Sequence, residues 1–163
     1  MRTILFSTLS MALLLLPGCG GGDTSRPDDL PKLYPVSITI TQEDKPLEGA
    51  TVTLDSKTPS KYAASGTTDA SGTAVLRTYG YDGAPTGDYA VLVKKVGSEN
   101  QKESKDAEGQ TYLTGGQSYS YVDAKYSDKS GTAFSISVAD KAVKETFDVG
   151  KAVRILLGNN AVE

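Results

Sequence analysis

From Tyr34 onward, apolar and polar residues alternate with a period of two. Val36, Ile38 and Ile40 alternate with Ser37, Thr39 and Thr41, which predicts a strand with one face toward a core and the other toward water. After the polar turn Gln42 to Pro46, the run Ala50 to Leu54 repeats the alternation, and a weaker strand is expected over Tyr62 to Thr68. Asp69-Ala70-Ser71-Gly72 supplies turn chemistry, and Thr73 to Tyr79 reads as the next strand, around Leu76. Asp88 to Val96 is apolar on both faces, with Tyr89, Val91 and Val93 on one and Ala90 and Leu92 on the other, as a strand inside a sheet would be. Phe134, Ile136 and Val138 alternate with Ser135 and Ser137, and after a turn near Asp140 the segment Glu145 to Val149 reads as a returning strand. Short strands punctuated by Gly, Pro and Asp predict an all-β fold, an antiparallel β-sandwich of about seven strands. Between Val96 and Gln117 the polar stretch Gly97 to Gly109 mixes opposite charges and is expected to be a mobile surface loop. Lys151 to Leu157 alternates only partly and fits either an extra edge strand or a frayed tail.

The first 19 residues follow another pattern. Arg2 precedes an apolar run from Ile4 through Leu16, too short to cross a bilayer comfortably and laid out as an export signal. It ends in Leu16-Pro17-Gly18-Cys19, which resembles the lipobox of bacterial lipoproteins. The resemblance implies cleavage between Gly18 and Cys19, a diacylglycerol thioether on Cys19 and acylation of the new amino terminus; the alternative is an ordinary signal peptide with an incidental cysteine. Each buried methylene contributes about 0.8 kcal/mol, so several acyl chains hold a protein at a membrane durably. Gly20 follows Cys19 where an Asp would resemble an inner-membrane retention signal, so the expected address is the cell envelope, at the outer membrane of a cell that has two. Residues 20 to 33 combine glycine, proline and charge without an apolar period and read as a flexible tether.

The expected organisation is a signal peptide at 1–18, a lipidated cysteine and linker at 19–33, a sandwich at 34–150 with a polar insertion loop at 97–116, and a C-terminal extension at 151–163. Removing the first 18 residues leaves 145 of 163 and, because only Arg2 is charged among them, takes the net charge from −3 to −4. That length suffices for one real core. The mild acidity gives no reason to expect nucleic acid as a partner. The chain has no histidine, which excludes Ser-His-Asp and Cys-His catalytic sets and His-ligated zinc or haem. One cysteine allows neither an internal disulfide nor a Cys-rich metal site. No cofactor is implied.

Three ordered strings carry a second resemblance: Lys45-Pro46-Leu47-Glu48-Gly49-Ala50-Thr51-Val52-Thr53-Leu54, Thr67-Thr68-Asp69-Ala70-Ser71-Gly72-Thr73-Ala74, and Gly83-Ala84-Pro85-Thr86-Gly87-Asp88-Tyr89-Ala90-Val91. Together they look like the carboxypeptidase regulatory-like, or transthyretin-like, β-sandwich, a fold with Ig-like architecture. Ala124 to Gly131, followed by Phe134 to Val138 and Thr146-Phe147-Asp148-Val149, is similar to small secreted lipoproteins of this type in planctomycete bacteria. The resemblance covers about residues 35 to 149 and implies a binding or packing module with no catalytic residues to carry over. The fold type includes a urate-pathway hydrolase, but that activity rests on histidines and a Tyr-Arg-Gly-Ser end, both absent from this chain.

No other constellation carries chemistry. The carboxylate pairs Asp28 with Asp29, Asp82 with Asp88 and Asp123 with Asp128 lack calcium-loop spacing and read as solvated turn residues. No Ser is followed three positions later by Lys, and Gly150-Lys151-Ala152 is not a phosphate loop. Tyrosine remains: seven of nine lie between Tyr79 and Tyr126. Tyr112, Tyr119 and Tyr121 are the candidate binding surface, an aromatic face for a glycan or for a peptide or envelope protein. The alternative is structural, with Tyr89 and Tyr126 filling the core and the others covering its rim.

Overall fold

The computed structural model describes residues 26–58 and 60–158. The export signal, Gly18 and Cys19, and the end of the C-terminal extension lie outside the described residues. Residues 26–30 belong to a small separate unit, a turn in which Leu30 N–H donates to the Pro27 carbonyl at 2.9 Å. The sandwich belongs to the second unit, from Pro31 onward.

Strand β1 (Val36–Gln42) buries Val36, Ile38 and Ile40 as its alternation predicts. Glu43 and Asp44 both take left-handed φ, 53° and 61°, the pattern of a two-residue type I′ turn, and return the chain to β2 (Lys45–Pro46) beside β1. β3 (Thr51–Ser56) and β4 (Ala64–Thr67) form an antiparallel pair. Asp69 holds the following turn: its carboxylate accepts from the Ser71 hydroxyl and from the Ser71 and Thr73 amides. The Ser71 hydroxyl, then the Thr73 amide, keep that carboxyl below its usual range. Gly72 has φ 76°, and a Cβ there would lie 2.6 Å from the Ile40 carbonyl oxygen, so the position admits no side chain.

The strand expected over Thr73 to Tyr79 is divided. β5 (Thr73–Val75) joins β1, and the chain then crosses to the other sheet at the fully buried Leu76, whose N–H donates to the Val36 carbonyl and whose carbonyl accepts from Gly83 N–H. β6 (Arg77–Thr78) lies in the second sheet and turns through Tyr79 and Gly80, at φ 52° and 85°, into β7 (Tyr81–Asp82). β8 (Gly87–Lys94) follows, and Tyr89, Ala90, Val91 and Val93 are all buried because it sits inside the sheet.

β9 (Val96–Glu99), β10 (Lys102–Lys105), β11 (Thr111–Thr114) and β12 (Gln117–Ser120) occupy the segment expected to be a mobile loop. A one-turn 3-10 helix at Ala124–Ser127 leads to β13 (Ser135–Val138), β14 (Val143–Asp148) and β15 (Ile155–Leu156).

One layer of the sandwich is the sheet β13-β8-β3-β4-β6-β7, antiparallel throughout. The other is centred on β1, with β14 on one side and β5 and β2 along the other. A single apolar cluster joins Val36, Ile38 and Ile40 of one layer to Val52, Leu54, Val91 and Val93 of the other. The all-β sandwich therefore holds, with two refinements. β14 runs parallel to β1, Val36 opposite Val143 through Thr41 opposite Asp148, because β13 belongs to the opposite sheet and the chain crosses the sandwich before β14 begins. The strands are also more numerous and shorter than expected, since the sheet switch at Leu76 and the tight hairpins subdivide them. Tyr126, Phe134 and Phe147 stack in series, with centroids 4.8 and 4.7 Å apart, and link the β13 edge to the β14 edge. The buried Thr68 hydroxyl donates to the Leu47 carbonyl and accepts from Ala50 N–H, and Thr78 donates to the Gly83 carbonyl.

Leu54→Ala should lower the unfolding free energy by about 2–5 kcal/mol in urea denaturation, whereas Val75→Ala, 56% exposed on the outer face, should change it by less than about 0.5 kcal/mol. Equal costs at the two positions would contradict the placement of β3 in the core.

Candidate functional site

The segment 96–120 is a long antiparallel β-ribbon. β9 pairs with β12, Val96 opposite Ser120 through Glu99 opposite Gln117, and β10 pairs with β11, Lys102 opposite Thr114 through Lys105 opposite Thr111. The two ladders are separated by two residues on each side, Asn100-Gln101 and Gly115-Gly116. Asn100, Gly115 and Gly116 all take positive φ, and a Cβ on Gly116 would lie 2.9 Å from the Glu99 carbonyl oxygen. The ribbon closes at its tip where Asp106 N–H donates to the Gln110 carbonyl and Gly109 N–H to the Asp106 carbonyl, with Gly109 at φ 82°. This is a three-residue loop with glycine at the left-handed position.

A polar, charged stretch thus forms paired strands because the ladder is satisfied by backbone hydrogen bonds, which need no apolar face. Its signal in the sequence was the turn element Asp106 to Gly109 at the centre and Gly115-Gly116, which begins six residues after Gly109, together with the β-prone run Thr111 to Thr114. The C-terminal extension supplies a third strand at the base: β15 pairs with β12, Tyr119 opposite Leu156 and Ser120 opposite Ile155. Of the two expectations for that segment, the edge strand is the one observed.

A cluster that sequence reasoning missed clamps this base. Arg154 donates to both oxygens of Glu99, from Nη2 at 2.6 Å and from Nε at 3.2 Å, and its guanidinium carbon lies 3.6 Å from the centroid of the Tyr119 ring. The Tyr121 hydroxyl donates to Glu99 at 2.5 Å, and the Tyr119 hydroxyl donates to Gln117 at 2.6 Å. The Tyr121 ring lies over Gly97, where a Cβ would meet it at 3.0 Å. Gln42, just after the alternating part of β1, donates to the Tyr121 carbonyl at 2.9 Å and ties the clamp to the sandwich. The Arg154 hydrogen bonds, then that of Tyr121, pull the Glu99 carboxyl down to about 2, and Glu99 in turn raises Arg154 and Tyr121 above their usual values.

Of the three candidate tyrosines, the structure brings Tyr119 and Tyr121 together and leaves Tyr112 apart. Tyr119 is buried at 6% exposure and Tyr121 is half-buried, so both serve the clamp. Tyr112 stands opposite Ser104 on the distal ribbon and is 48% exposed, next to Leu113 at 59%. Six residues separate it from Tyr119, among them the Gly115-Gly116 break between the two ladders. Tyr89 is buried and Tyr126 packs against the core, as the structural alternative expects.

Two of the carboxylate pairs, Asp82 with Asp88 and Asp123 with Asp128, do local work. Asp82 pairs with Arg77 at 2.7 Å, Asp88 accepts from the Ser137 hydroxyl, Asp123 caps the 3-10 turn by accepting from Lys125 N–H, and Asp128 accepts from Ser130. Among the described residues no group of three potential metal ligands comes together, and no helix is long and apolar enough to cross a membrane. An open groove of about 530 Å³ lies over the outer face of β1, lined by Ser37, Thr39, Thr73, Lys144, Glu145 and Thr146. Within it the Thr39 and Thr73 hydroxyls bond to each other at 3.0 Å.

No protein-family model and no curated protein matches the chain. Among solved structures it has a likeness to a 9R-lipoxygenase from Cyanothece PCC8801, with 18% identity and a TM-score of 0.31, over 78% of this chain and 18% of that one. The chain spans only that small share of the lipoxygenase, and a likeness of this size carries no functional argument.

Because the folded carboxyl titrates below its unfolded value, the Glu99 clamp contributes fully above the ordinary glutamate value of 4.5 and is lost as pH falls toward about 2. In carboxyl-resolved NMR titration, Arg154→Met should return the Glu99 midpoint toward the ordinary range, and Tyr121→Phe should raise it by less. A midpoint unchanged by Arg154→Met would show that the pair does not form in solution.

Proposed function

We propose that the protein is a lipid-anchored, non-catalytic module of the cell envelope, whose β-sandwich presents a clamped β-ribbon to protein partners. The observation that carries this reading is the ribbon itself: its base is fixed by Arg154, Glu99, Tyr119 and Tyr121, while its distal half, with Tyr112 and Leu113, stays exposed and, among the described residues, is paired only within itself. A fixed base with an exposed tip suits recognition, since little orientational entropy is lost when a partner binds. The absence of histidine supports a non-catalytic role, because no side chain in the chain has an ordinary pKa near neutrality. The anchoring half of the proposal rests on the lipobox resemblance at Leu16 to Cys19, with Gly20 favouring the outer membrane. The glycan alternative is less well supported, since Tyr119 gives a ring face to Arg154 and Tyr112 stands apart.

Cys19→Ser should move the protein from the membrane to the soluble fraction of the producing cell; unchanged membrane retention would remove the anchor. A photoreactive residue introduced at position 112 should cross-link to discrete protein bands in the intact envelope, and the same residue at position 39, on the groove-bearing sheet face, should not. Equal labelling from both positions, or none from position 112, would remove the ribbon as the recognition element.

A further inference from the structure

We propose that the ribbon's partner includes a second copy of this chain, joined by antiparallel pairing of the free edges of β10 about a two-fold axis at Ser104. This rests on the reading of the ribbon as the recognition element and names one occupant for it.

β10 pairs with β11 and with no other described strand, so its outer edge offers unpaired backbone groups. The orientation of those groups follows from the tip. Asp106 N–H bonds to the Gln110 carbonyl, and inward and outward groups alternate along an antiparallel ladder. Lys102 and Ser104 therefore turn their amides toward β11, and Glu103 and Lys105 turn theirs outward. A second antiparallel strand must match outward residues with outward residues. With the axis at Ser104, Glu103 faces Lys105 of the second copy and Lys102 faces Asp106 of the second copy, and symmetry repeats both pairs. All four charged pairs are of opposite sign, with the small Ser104 meeting itself at the centre.

The neighbouring two-fold registers are disfavoured by the same charges. The axis has to pass through a residue, and moving it to Lys102, Glu103, Lys105 or Asp106 sets that residue against its own copy, like charge on like charge. Lys102, Glu103, Lys105 and Asp106 are all exposed, so the pattern is displayed on the surface. In the resulting four-stranded sheet the exposed Tyr112 rings, each opposite its own Ser104, flank the two serines on one face. The edge thus repels indiscriminate strand addition and accepts its own sequence in one register.

The test uses the full chain as isolated from the producing cell, in density-matched detergent, by sedimentation equilibrium. The wild-type protein should dimerise at about 50 mM salt and weaken severalfold at about 500 mM. Lys105→Glu and Glu103→Lys, each of which creates two like-charge pairs, should each weaken the dimer about tenfold or more. An equimolar mixture of the two variants should restore association, because the edge of one then complements the edge of the other. S104C should yield a disulfide-linked dimer on mild oxidation, absent from wild type treated alike, since facing residues at a non-hydrogen-bonded site lie about 4.5 Å apart between Cα atoms. An unchanged Glu99 titration in every variant confirms that the ribbon base is folded. A monomer at all concentrations, a dimer indifferent to both charge reversals, or a mixture that fails to reassociate would each overturn the proposal. Loss of association on Tyr112→Ala with Lys105→Glu silent would also overturn it, by moving the contact to the β11 edge. If the chain is monomeric while position 112 still cross-links to another envelope protein, self-pairing falls and the recognition role of the ribbon stands.

Discussion

The buried face of β1 is the constraint from which the rest of the architecture follows. Val36, Ile38 and Ile40 lie against the β3 and β8 face carrying Val52, Leu54, Val91 and Val93, each contributing about 1.5–3 kcal/mol on burial. Because side chains alternate with a period of two, a slip of one residue would turn this set outward, so the register of β1 is fixed by burial rather than by its turns. Its neighbours inherit that register from distant parts of the chain. β5 brings Ala74 beside Ile38, and β14 brings Phe147 beside Ile40. Phe147 then receives the Phe134 and Tyr126 stack, so the aromatic link between the two layers depends on where β1 sits.

The ribbon obeys another rule. It has little apolar burial of its own, and a two-stranded ribbon in water is marginal at best. The chain supplies two compensations at the base: a third strand from the C-terminal segment, and the clamp that fastens that strand to β9 and β12. An exposed ion pair contributes little by charge alone. The Arg154 contact gains from being two-pronged on Glu99 and stacked on Tyr119, which leaves the guanidinium few alternative positions. The distal pair β10 and β11 has no such support among the described residues.

The legible part of this fold was the part governed by burial. The strands around Val36, Val52 and Ile136 announce themselves by alternation, the strand around Val91 by being apolar on both faces, and the turns at Asp69 to Gly72 and Gln42 to Pro46 by their runs of polar and turn-forming residues. The split at Leu76 was not legible, because a residue at which a strand changes sheets is as apolar as one within a strand. The ribbon was missed for the converse reason, since its strands are held by backbone bonds while its side chains have a loop's composition. At the candidate site, tyrosine density singled out Tyr119 and Tyr121 as part of a binding face, and the structure places both in the clamp at the ribbon base. Their partners Glu99 and Arg154 stand 55 positions apart, and only the pairing of β15 with β12 brings them together.

The same charge sequence therefore carries two meanings. Lys102, Glu103, Lys105 and Asp106 make the segment look like solvated loop when read as composition, and they guard an exposed edge against chance strand addition once the ribbon is formed. An edge needing protection alone would be served by lysines of one sign, which repel every copy of themselves. Here the signs alternate about Ser104, so the repulsion is selective and leaves one antiparallel register open. A long, polar ribbon fixed at its base is more than the sandwich needs for its own core, which is the physical reason for proposing the ribbon as the recognition element rather than the groove over β1, where the Thr39 and Thr73 hydroxyls already bond to each other.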